Sequence, residues 1–475
     1  MFMLAQRTKI VATIGPASNS PEVIRALIKA GLSVARLNFS HGSYSDHAHT
    51  VATFRQISQE LDAPIALLQD LQGPKIRAGN LPAPITLEVG QQLELLPIAE
   101  WQNAPHTIPI DYPLLAQEAR SGNRVLLDDG LLELVVLETR GTATICEVVR
   151  GGILKSRKGV NLPDIDLSLP SMTAKDFEDL EFGLSQGVDW VSLSFVRKAR
   201  DIEALKQTIR DRGYDVPVIA KIEKPQALEH LDEIIAIADG IMVARGDLGV
   251  ELSPEKVPLA QKEIIKKCNR HGIPVITATQ MLESMIENAR PTRAEASDVA
   301  NAILDGTDAI MLSGESAVGK HPIEAVEMMV KIAREIEAVF HPVNDPPETN
   351  DAPHAISEAI HTIEEILPLK GIVLFSMNGD SARLVAAERL RTPIYVVTAH
   401  KSIFYRLNLL WGVTPLWVTE AGHVETFIKT VETMLCDRGV ACDGDRVLIV
   451  GGSPLLESPN TNFIKIHTLG EKFIT

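Results

Sequence analysis

The chain has 475 residues, 45% of them hydrophobic, and its 62 acidic against 46 basic residues give a formal net charge of −16. This length predicts about three domains and excludes a small scaffold held together by disulfides. The acidic balance argues against a non-specific nucleic-acid binder, because such proteins need clustered cations. It leaves room for an anionic small molecule bound in a locally basic cleft.

The four cysteines, Cys146, Cys268, Cys436 and Cys442, form no CxxC pair and predict reduced thiols in a cytosolic protein. The N-terminal sequence MFMLAQRTKI lacks the long apolar segment of a signal peptide. No apolar run approaches the ~18–20 residues of a spanning helix. We therefore expect a soluble cytoplasmic protein.

Short apolar runs alternate with amphipathic stretches over much of the chain. The runs lack polar–apolar alternation, which is typical of strands buried on both faces. One helix is predicted from Pro254 to about His271, with Ser253 as its N-cap and Gly272 closing its end. Eight strands each followed by a helix favour a (β/α)₈ barrel, with an open doubly wound sheet as the alternative. The eight runs are residues 9–14, 33–38, 64–70, 188–194, 217–223, 239–245, 274–280 and 308–314.

The alternation breaks between the third and fourth runs. Residues 74–169 contain ITLEV, QLELL, NRVLL and TATICEVV separated by turn residues, and Asp129-Gly130 is a hairpin signal. This pattern predicts a small β-barrel domain inserted at the end of the third barrel strand. Active sites of such barrels lie at that end, so the insertion could act as a lid that excludes water.

The second boundary is the Pro- and Asp-rich segment 341–353, which predicts a linker. Beyond it, β/α alternation resumes and predicts a separate α/β domain over residues 354–475. The barrel would then consist of residues 1–73 and 170–340.

Charged and polar residues cluster where the predicted barrel strands end. A charge in a buried strand is costly unless it is paired or ligating, so five such strand ends favour one polar site over separate structural ion pairs. Glu223 and Asp247 are hard oxygen donors that suit Mg²⁺ or Mn²⁺. Fixed cations and a metal bridge are what phosphoryl transfer requires. The candidate cations are Arg36, Arg77, Lys158 and Lys221.

The segment from Gly314 to His321, GESAVGKH, nearly matches the P-loop pattern GxxxxGK[ST]. It ends in His, so the hydroxyl that would ligate Mg²⁺ is missing. We interpret its glycines as turning the chain from the eighth strand into a helix.

The sequence resembles the pyruvate kinase family over the N-terminal three quarters of the chain, and the C-terminal part matches mainly in pattern. The resemblance implies a barrel with an inserted β-domain and a C-terminal α/β domain. It also implies transfer of the phosphoryl group of phosphoenolpyruvate to ADP, giving pyruvate and ATP in the last step of glycolysis, by a homotetramer. The matching segments are TKIVATIGPAS (8–18), RLNFSHG (36–42), DLQGPKIRAG (70–79), KGVNLP (158–163), KIEKP (221–225), IMVARGDLGVE (241–251), ATQMLESM (278–285), residues 291–322 and TNFIKIH (461–467).

The same resemblance assigns roles to individual residues. Glu223 and Asp247 match the divalent-metal ligands, Lys221 the lysine that steadies the phosphoryl group, and Arg36 the arginine that holds the substrate phosphate. Thr279 matches a residue on the proton path to the enolate carbon. The implied substrate-binding residues are Arg36, Lys221, Gly246, Asp247 and Thr279, and the implied nucleotide-binding residues are Asn38, Ser40, His41, Arg77 and Lys158.

One segment departs from the commoner family pattern, DTKGPE. Many members bind K⁺ through that segment's Asp and Thr carbonyl, which match Asp70 and Leu71, together with groups that match Asn38 and Ser40. The present DLQGPK is the pattern of potassium-independent members. The Lys75 ammonium could take the place of the monovalent cation beside Asp70, so we expect K⁺ to be dispensable. The expected cofactor is Mg²⁺ or Mn²⁺.

The C-terminal domain resembles the family's effector-binding domain, which implies a sugar-phosphate or nucleotide effector. The loop with Ser376, Asn378, Gly379 and Ser381 lies between a strand and a helix, where backbone N–H groups could hold a phosphate. Two alternatives remain at this point: a lyase or mutase that works on a metal-bound enolate, and an inactive regulatory homologue.

Overall fold

A computed structural model describes residues 6–340, 352–419, 424–452 and 461–471, so nearly all of the predicted linker 341–353 lies outside the described residues. The first repeats are strands buried along their length and alternating with amphipathic helices. The first helix is capped by the Ser20 side chain and ends at Gly31, whose φ of 115° favours glycine. The elements are β1 (Lys9–Ile14), α1 (Pro21–Ala30), β2 (Val34–Asn38), α2 (Tyr44–Glu60) and β3 (Ala66–Leu71).

The inserted β-domain is confirmed. It contains a six-stranded sheet in the order β11-β7-β8-β9-β5-β6 and a two-stranded sheet of β10 and β4. The predicted hairpin joins β7 to β8 through Asp128, Asp129 and Gly130, all with positive φ. The strand at residues 107–110 was not predicted. The elements are β4 (Ile85–Leu87), β5 (Gln92–Pro97), β6 (Thr107–Ile110), α3 (Leu115–Glu118), β7 (Arg124–Leu127), β8 (Leu132–Arg140), β9 (Ala143–Arg150), β10 (Gly152–Leu154) and β11 (Val160–Asn161).

The remaining barrel elements follow the insertion. Eight parallel strands close into a ring in the order β1-β16-β15-β14-β13-β12-β3-β2, which confirms the (β/α)₈ barrel and excludes the open sheet. The elements are α4 (Ala174–Ser185), β12 (Trp190–Leu193), α5 (Ala199–Asp211), β13 (Val218–Ile222), α6 (Pro225–Glu229), α7 (Leu231–Ile237), β14 (Gly240–Ala244), α8 (Arg245–Glu251), α9 (Val257–Arg270), β15 (Val275–Ala278), α10 (Arg293–Leu304), β16 (Ala309–Leu312), α11 (Gly314–Ala317) and α12 (Pro322–Val339).

The helix expected from Pro254 begins three residues later. Residues Pro254–Lys256 form a 3₁₀ turn, and the Ser253 side chain makes no capping bond. The α-helix starts at Val257, and Pro258 occupies its first turn, where a missing N–H is harmless.

The C-terminal domain contains one five-stranded sheet in the order β19-β18-β17-β20-β21, with only the pair β20–β21 antiparallel. Helices and sheet faces enclose two apolar clusters. The elements are α13 (Ala352–Ile366), β17 (Gly371–Phe375), α14 (Asp380–Ala387), β18 (Ile394–Thr398), α15 (Lys401–Arg406), β19 (Val413–Trp417), α16 (Val424–Asp437), β20 (Arg446–Gly451) and β21 (Phe463–Thr468).

The C-terminal domain covers the N-terminal end of the barrel. Leu409 packs into the apolar cluster inside the barrel, and the Asn408 side chain donates to the carbonyls of Ser33 at 2.8 Å and Pro64 at 2.6 Å. The opposite end, where the strands finish, faces the inserted domain. Among the described residues, no helix has the length and apolar content needed to cross a bilayer.

Candidate active site

Asp70 organises the C-terminal end of three neighbouring barrel strands. Strand register sets Asn38 and Ser192 beside it. Its carboxylate accepts hydrogen bonds from Arg36 Nε at 2.9 Å, Ser192 Oγ at 2.6 Å and Lys221 Nζ at 3.4 Å. Burial would raise the pKa of Asp70, but the two cations outweigh it and hold that pKa below its usual range. Asp70 is therefore a buried anion that fixes two cations at the mouth of the barrel.

Lys221 lies on β13 with its ammonium held from three sides. It donates to Ser194 Oγ at 2.7 Å, lies 2.9 Å from Glu223 Oε1, and contacts Asp70. Burial alone would lower the pKa of Lys221, but the negative charges of Asp70 and Glu223 outweigh this effect. The pKa of Lys221 therefore lies above its usual value. Lys221 therefore stays an ammonium at neutral pH, as a group that stabilises developing negative charge must.

Glu223 follows β13 and is 1% exposed. Its Oε2 accepts the Phe195 backbone N–H at 2.7 Å, while its Oε1 has the Lys221 ammonium nearby but receives no hydrogen bond of good geometry. Burial, together with the nearby Asp247 carboxylate, raises the pKa of Glu223 despite Lys221. Glu223 Oε1 is thus a buried carboxylate oxygen that accepts no hydrogen bond from the described residues and lies near a second carboxylate, and such a pair can bind a metal cation.

Asp247 sits in the first turn of α8, directly after β14. The preceding Gly246 N–H donates to Thr279 Oγ at 2.6 Å, which joins the start of α8 to the end of β15. Thr279 has a φ of 71°, a strained conformation for a β-branched residue and one that is concentrated at functional sites. Arg245 holds that loop, because it pairs with Asp298 at 2.8 Å and donates to the Thr279 carbonyl at 2.8 Å.

A cavity of about 750 Å³ separates the barrel mouth from the inserted domain. Asp247 and Gly246 line its barrel side, and Lys75 and Asp129 line its lid side. Lys158 lies on the lid and pairs with Asp128 at 2.8 Å, a contact that raises the pKa of Lys158. The inserted domain therefore places the Lys75 cation on the same cavity as the Asp247 carboxylate.

Lys75 does not pair with Asp70 as we had expected. Its side chain extends toward Gly159 and Asp129 of the inserted domain. The Asp70 carboxylate is instead occupied by Arg36, Lys221 and Ser192. The pair was expected from the pattern of potassium-independent family members, but the chain turns into the inserted domain at Gly73 and carries Lys75 with it.

The other predicted nucleotide-side residues lie around the same mouth with less contact to one another. Asn38 follows Arg36 on β2, and its Oδ1 accepts the Ser40 N–H at 3.1 Å. The His41 side chain is exposed. Arg77 lies on the lid, with its guanidinium 3.3 Å from the Arg157 carbonyl. These positions leave Asn38, Ser40 and His41 on the barrel rim and Arg77 across from them.

The predicted effector loop precedes α14, and two of its backbone amides are already bonded to side chains within the loop. The Gly379 N–H donates to Ser376 Oγ at 3.0 Å and the Asp380 N–H to Asn378 Oδ1 at 3.1 Å. Ser381 Oγ is 3.3 Å from Ser376 Oγ. An anion would have to replace these bonds, so the loop is not an open phosphate cradle in this conformation.

Sequence reasoning missed the hydroxyls that orient the charged groups. Ser192 holds Asp70, Ser194 holds Lys221 and donates to the Leu71 carbonyl at 2.8 Å, and Thr13 accepts from Arg36 at 2.8 Å. A signal was present, because the run VSLS places two serines at alternate positions of a buried strand, and alternate residues of a strand face the same side. Serine is too common to be singled out without the charged neighbours.

Comparison with known proteins agrees with this geometry. The family described as "Pyruvate kinase, barrel domain" matches residues 5–326, and "Pyruvate kinase, alpha/beta domain" matches residues 354–467. Pyruvate kinase 2 of Synechocystis sp. is 48% identical, covering 98% of this chain and 80% of the relative. A pyruvate kinase of Mycobacterium intracellulare is 43% identical, with coverage of 98% and 99%. The crystal structure of a pyruvate kinase from Cryptosporidium parvum has a TM-score of 0.93 at 35% identity, covering 98% and 96%.

Fold and relatives together define a phosphotransferase built on a (β/α)₈ barrel with an inserted β-domain. The chain belongs to the pyruvate kinase family, whose reaction transfers the phosphoryl group of phosphoenolpyruvate to ADP. The lyase and mutase alternatives are thereby set aside.

Proposed function

We propose that the mouth of the barrel is the phosphoryl-transfer centre of this pyruvate kinase and that Lys221 is its principal catalytic cation. The observation that supports this most directly is the buried contact between Lys221 Nζ and Glu223 Oε1 at 2.9 Å. It puts a fixed ammonium next to a carboxylate that lacks a full set of donors. Such a pair can hold a phosphoryl group between a cation and a metal ion.

Glu223 and Asp247 would hold the divalent metal, Mg²⁺ or Mn²⁺. Among the described residues, no cluster of three or more His, Cys, Asp or Glu forms a complete metal site. Two carboxylates are nevertheless the usual protein share for Mg²⁺, which takes its remaining ligands from water and substrate phosphates. When bound, the metal would neutralise charge on the phosphoryl oxygens.

The remaining barrel residues would bind and orient the substrate. Arg36 is fixed by Asp70 and Thr13, so its guanidinium can contact the substrate phosphate without further ordering. The Gly246 backbone and Thr279 hydroxyl lie next to Asp247, where they would contact the carboxylate and the enolate end. Thr279 would carry a proton toward the enolate carbon.

The rim and the lid would bind the nucleotide. Asn38, Ser40 and His41 would contact ADP from the barrel, and Arg77 and Lys158 from the lid. Cations on a closing lid stabilise polyphosphate and exclude water together. The domain boundaries that follow are 1–73 with 170–340 for the barrel, 74–169 for the lid and 354–475 for the C-terminal domain.

Replacing Lys221 with Met tests the assignment. We expect kcat to fall by three orders of magnitude or more, about 4 kcal/mol of transition-state stabilisation. Pyruvate release would be followed by coupling to lactate dehydrogenase, and Lys267→Met, which removes an ion pair with Asp232 between two outer helices of the barrel, is the matched control. Near-normal turnover of Lys221→Met would disprove the role.

The enzyme should work without K⁺. Lys75 stands where the commoner pattern DTKGPE has Glu, lines the same cavity as Asp247 and has no ion pair among the described residues. Its ammonium would supply the positive charge that K⁺ brings in other members of the family. We expect activity in buffer free of Na⁺ and K⁺ to be within twofold of that with K⁺, and a strict K⁺ requirement would contradict the proposal.

Regulation would act through the C-terminal domain, with a sugar phosphate or a nucleotide as effector. A cavity of about 590 Å³ lies between this domain and the barrel, and Asn378, Gly379, Arg383 and Arg406 contribute to its lining. The loop with Ser376 and Ser381 borders it. The same coupled assay with sugar phosphates and nucleoside monophosphates identifies the effector, and light scattering tests the expected homotetramer. Cytoplasmic location follows from the proposed substrates.

A further inference from the structure

A buried polar bridge joins the lid to the two elements that carry the proposed metal ligands. At its centre is Glu251, the last residue of α8, which is 1% exposed. Its Oε1 accepts from Lys224 Nζ at 2.5 Å and from Asn161 Nδ2 at 2.8 Å. Asn161 belongs to lid strand β11, and Lys224 directly follows Glu223.

The bridge is strongly held. Lys224 and Glu251 are both nearly buried, with side chains 9% and 1% exposed. The second oxygen, Oε2, is buried without a hydrogen-bond partner. A buried carboxylate with one bare oxygen depends on its cation, so removing either charge leaves the other isolated in a low-dielectric site.

Helix geometry ties Glu251 to Asp247. The two residues are four apart on α8, so they lie on one face of the helix, about 6 Å apart along its axis. A shift or rotation of the helix that moves Glu251 also moves Asp247. Lys224, at the other end of the ion pair, is bonded through the backbone to Glu223. The Lys224–Glu251 pair therefore links the segment that carries Glu223 to the helix that carries Asp247.

On the lid side, the bridge is a single hydrogen bond from Asn161 to Glu251. Asn161 pairs with Leu126 in the lid sheet and lies three residues after Lys158. A lid displacement that breaks the bond between Asn161 and Glu251 changes the restraint on α8. Among the three residues of the bridge, Glu251 is the one that contacts both Asn161 of the lid and Lys224, the residue after Glu223.

We infer that Glu251 is a positioning residue that couples the seating of the lid to the spacing of the metal-binding carboxylates. The inference rests on the proposed metal role of Glu223 and Asp247. Glu251 touches no reacting atom in this arrangement and acts through Lys224 and Asn161. Binding of the nucleotide under the lid and binding of the metal on the barrel would thus favour each other.

Two variants separate the arms of the bridge. Glu251→Gln keeps the volume and the bond to Asn161 but leaves Lys224 without its counter-ion, and we expect the Kd for Mn²⁺ alone to rise about tenfold. Asn161→Ala removes only the lid arm, so the KM for ADP should rise three- to tenfold and the Kd for Mn²⁺ should rise as well, by a smaller factor of about three. Direct Mn²⁺ binding would be measured by electron paramagnetic resonance on the full chain.

Asp189→Asn is the matched control. Asp189 is also a buried carboxylate paired with a cation, Arg55 at 2.8 Å, but it precedes β12 at the opposite end of the barrel. The Asp189→Asn substitution should lower the melting temperature without changing the Kd for Mn²⁺. An unchanged Mn²⁺ Kd in Glu251→Gln, or an equal loss in Asp189→Asn, would overturn the inference. Failure of wild-type protein to bind Mn²⁺ would instead contradict the proposed metal site.

Discussion

Neutralising Asp70 offers a sharp test of how the cations at the barrel mouth are held. Asp70→Asn keeps the shape of the side chain but removes the charge that faces both Arg36 and Lys221. At the observed 3.4 Å between Lys221 Nζ and Asp70 Oδ2, a unit-charge pair is worth on the order of 5 kcal/mol at an effective dielectric of 20. The attraction is large because the carboxylate is only 2% exposed.

Part of this energy is lost in relaxation, so we expect kcat/KM for phosphoenolpyruvate to fall 100- to 1,000-fold, or about 3–4 kcal/mol. Asp70 is the largest influence that raises the pKa of Lys221, while Arg36 lowers it. Without Asp70 the ammonium is less favoured, and the alkaline limb of the rate profile must move to lower pH.

The measurement is the pH dependence of kcat/KM for both proteins in the coupled assay, with melting temperatures recorded in parallel. Asp189→Asn serves as control, since it removes a buried carboxylate from the N-terminal end of the same barrel. The reasoning would be refuted if Asp70→Asn lost less than tenfold and its alkaline limb stayed in place. Equal losses in the control would show that general destabilisation is responsible.

The remaining predictions concern single contacts. Ser194→Ala removes the 2.7 Å bond to Lys221 Nζ, a charge-assisted bond worth about 1.5–3 kcal/mol, so kcat should fall about 10- to 100-fold and Ser194→Thr should recover part of it. Burial lowers the pKa of Lys9 from its ordinary value of 10.5 to about 7. Between these two pH values the unfolded chain binds more protons than the folded chain, so the contribution of Lys9 to the free energy of unfolding rises with pH across that window. In Lys9→Met that contribution, up to about 1.4 kcal/mol per pH unit, should disappear from denaturant unfolding; an unchanged pH slope would contradict it.

The fold was predictable because its strands are strongly marked. The run KIVATI coincides with β1, and the other barrel runs differ from the observed strands by a few residues. Parallel strands buried on both faces leave continuous apolar runs, and charged residues at their ends show where they finish. Glu223 and Asp247 could be singled out for that reason.

Contacts set by the folded chain were harder to predict. Nothing in the spacing of Asn161, Lys224 and Glu251 suggests that they meet, because they are brought together by the lid and two separate barrel segments. Lys75 was expected beside Asp70 from the family pattern, but the backbone turns at Gly73, whose φ is 69°, and the side chain extends toward Gly159 of the inserted domain. Non-local side-chain geometry depends on the completed fold.

The two ends of the barrel are linked by its packed interior. Leu409 of the C-terminal domain contacts the same apolar cluster that contains Ala278, which precedes Thr279 at the mouth. Arg389 adds a second attachment, because it pairs with Asp308 at 3.0 Å immediately before β16. Since a close-packed interior transmits displacement instead of absorbing it, a ligand bound in the proposed effector cavity would act on the barrel strands directly.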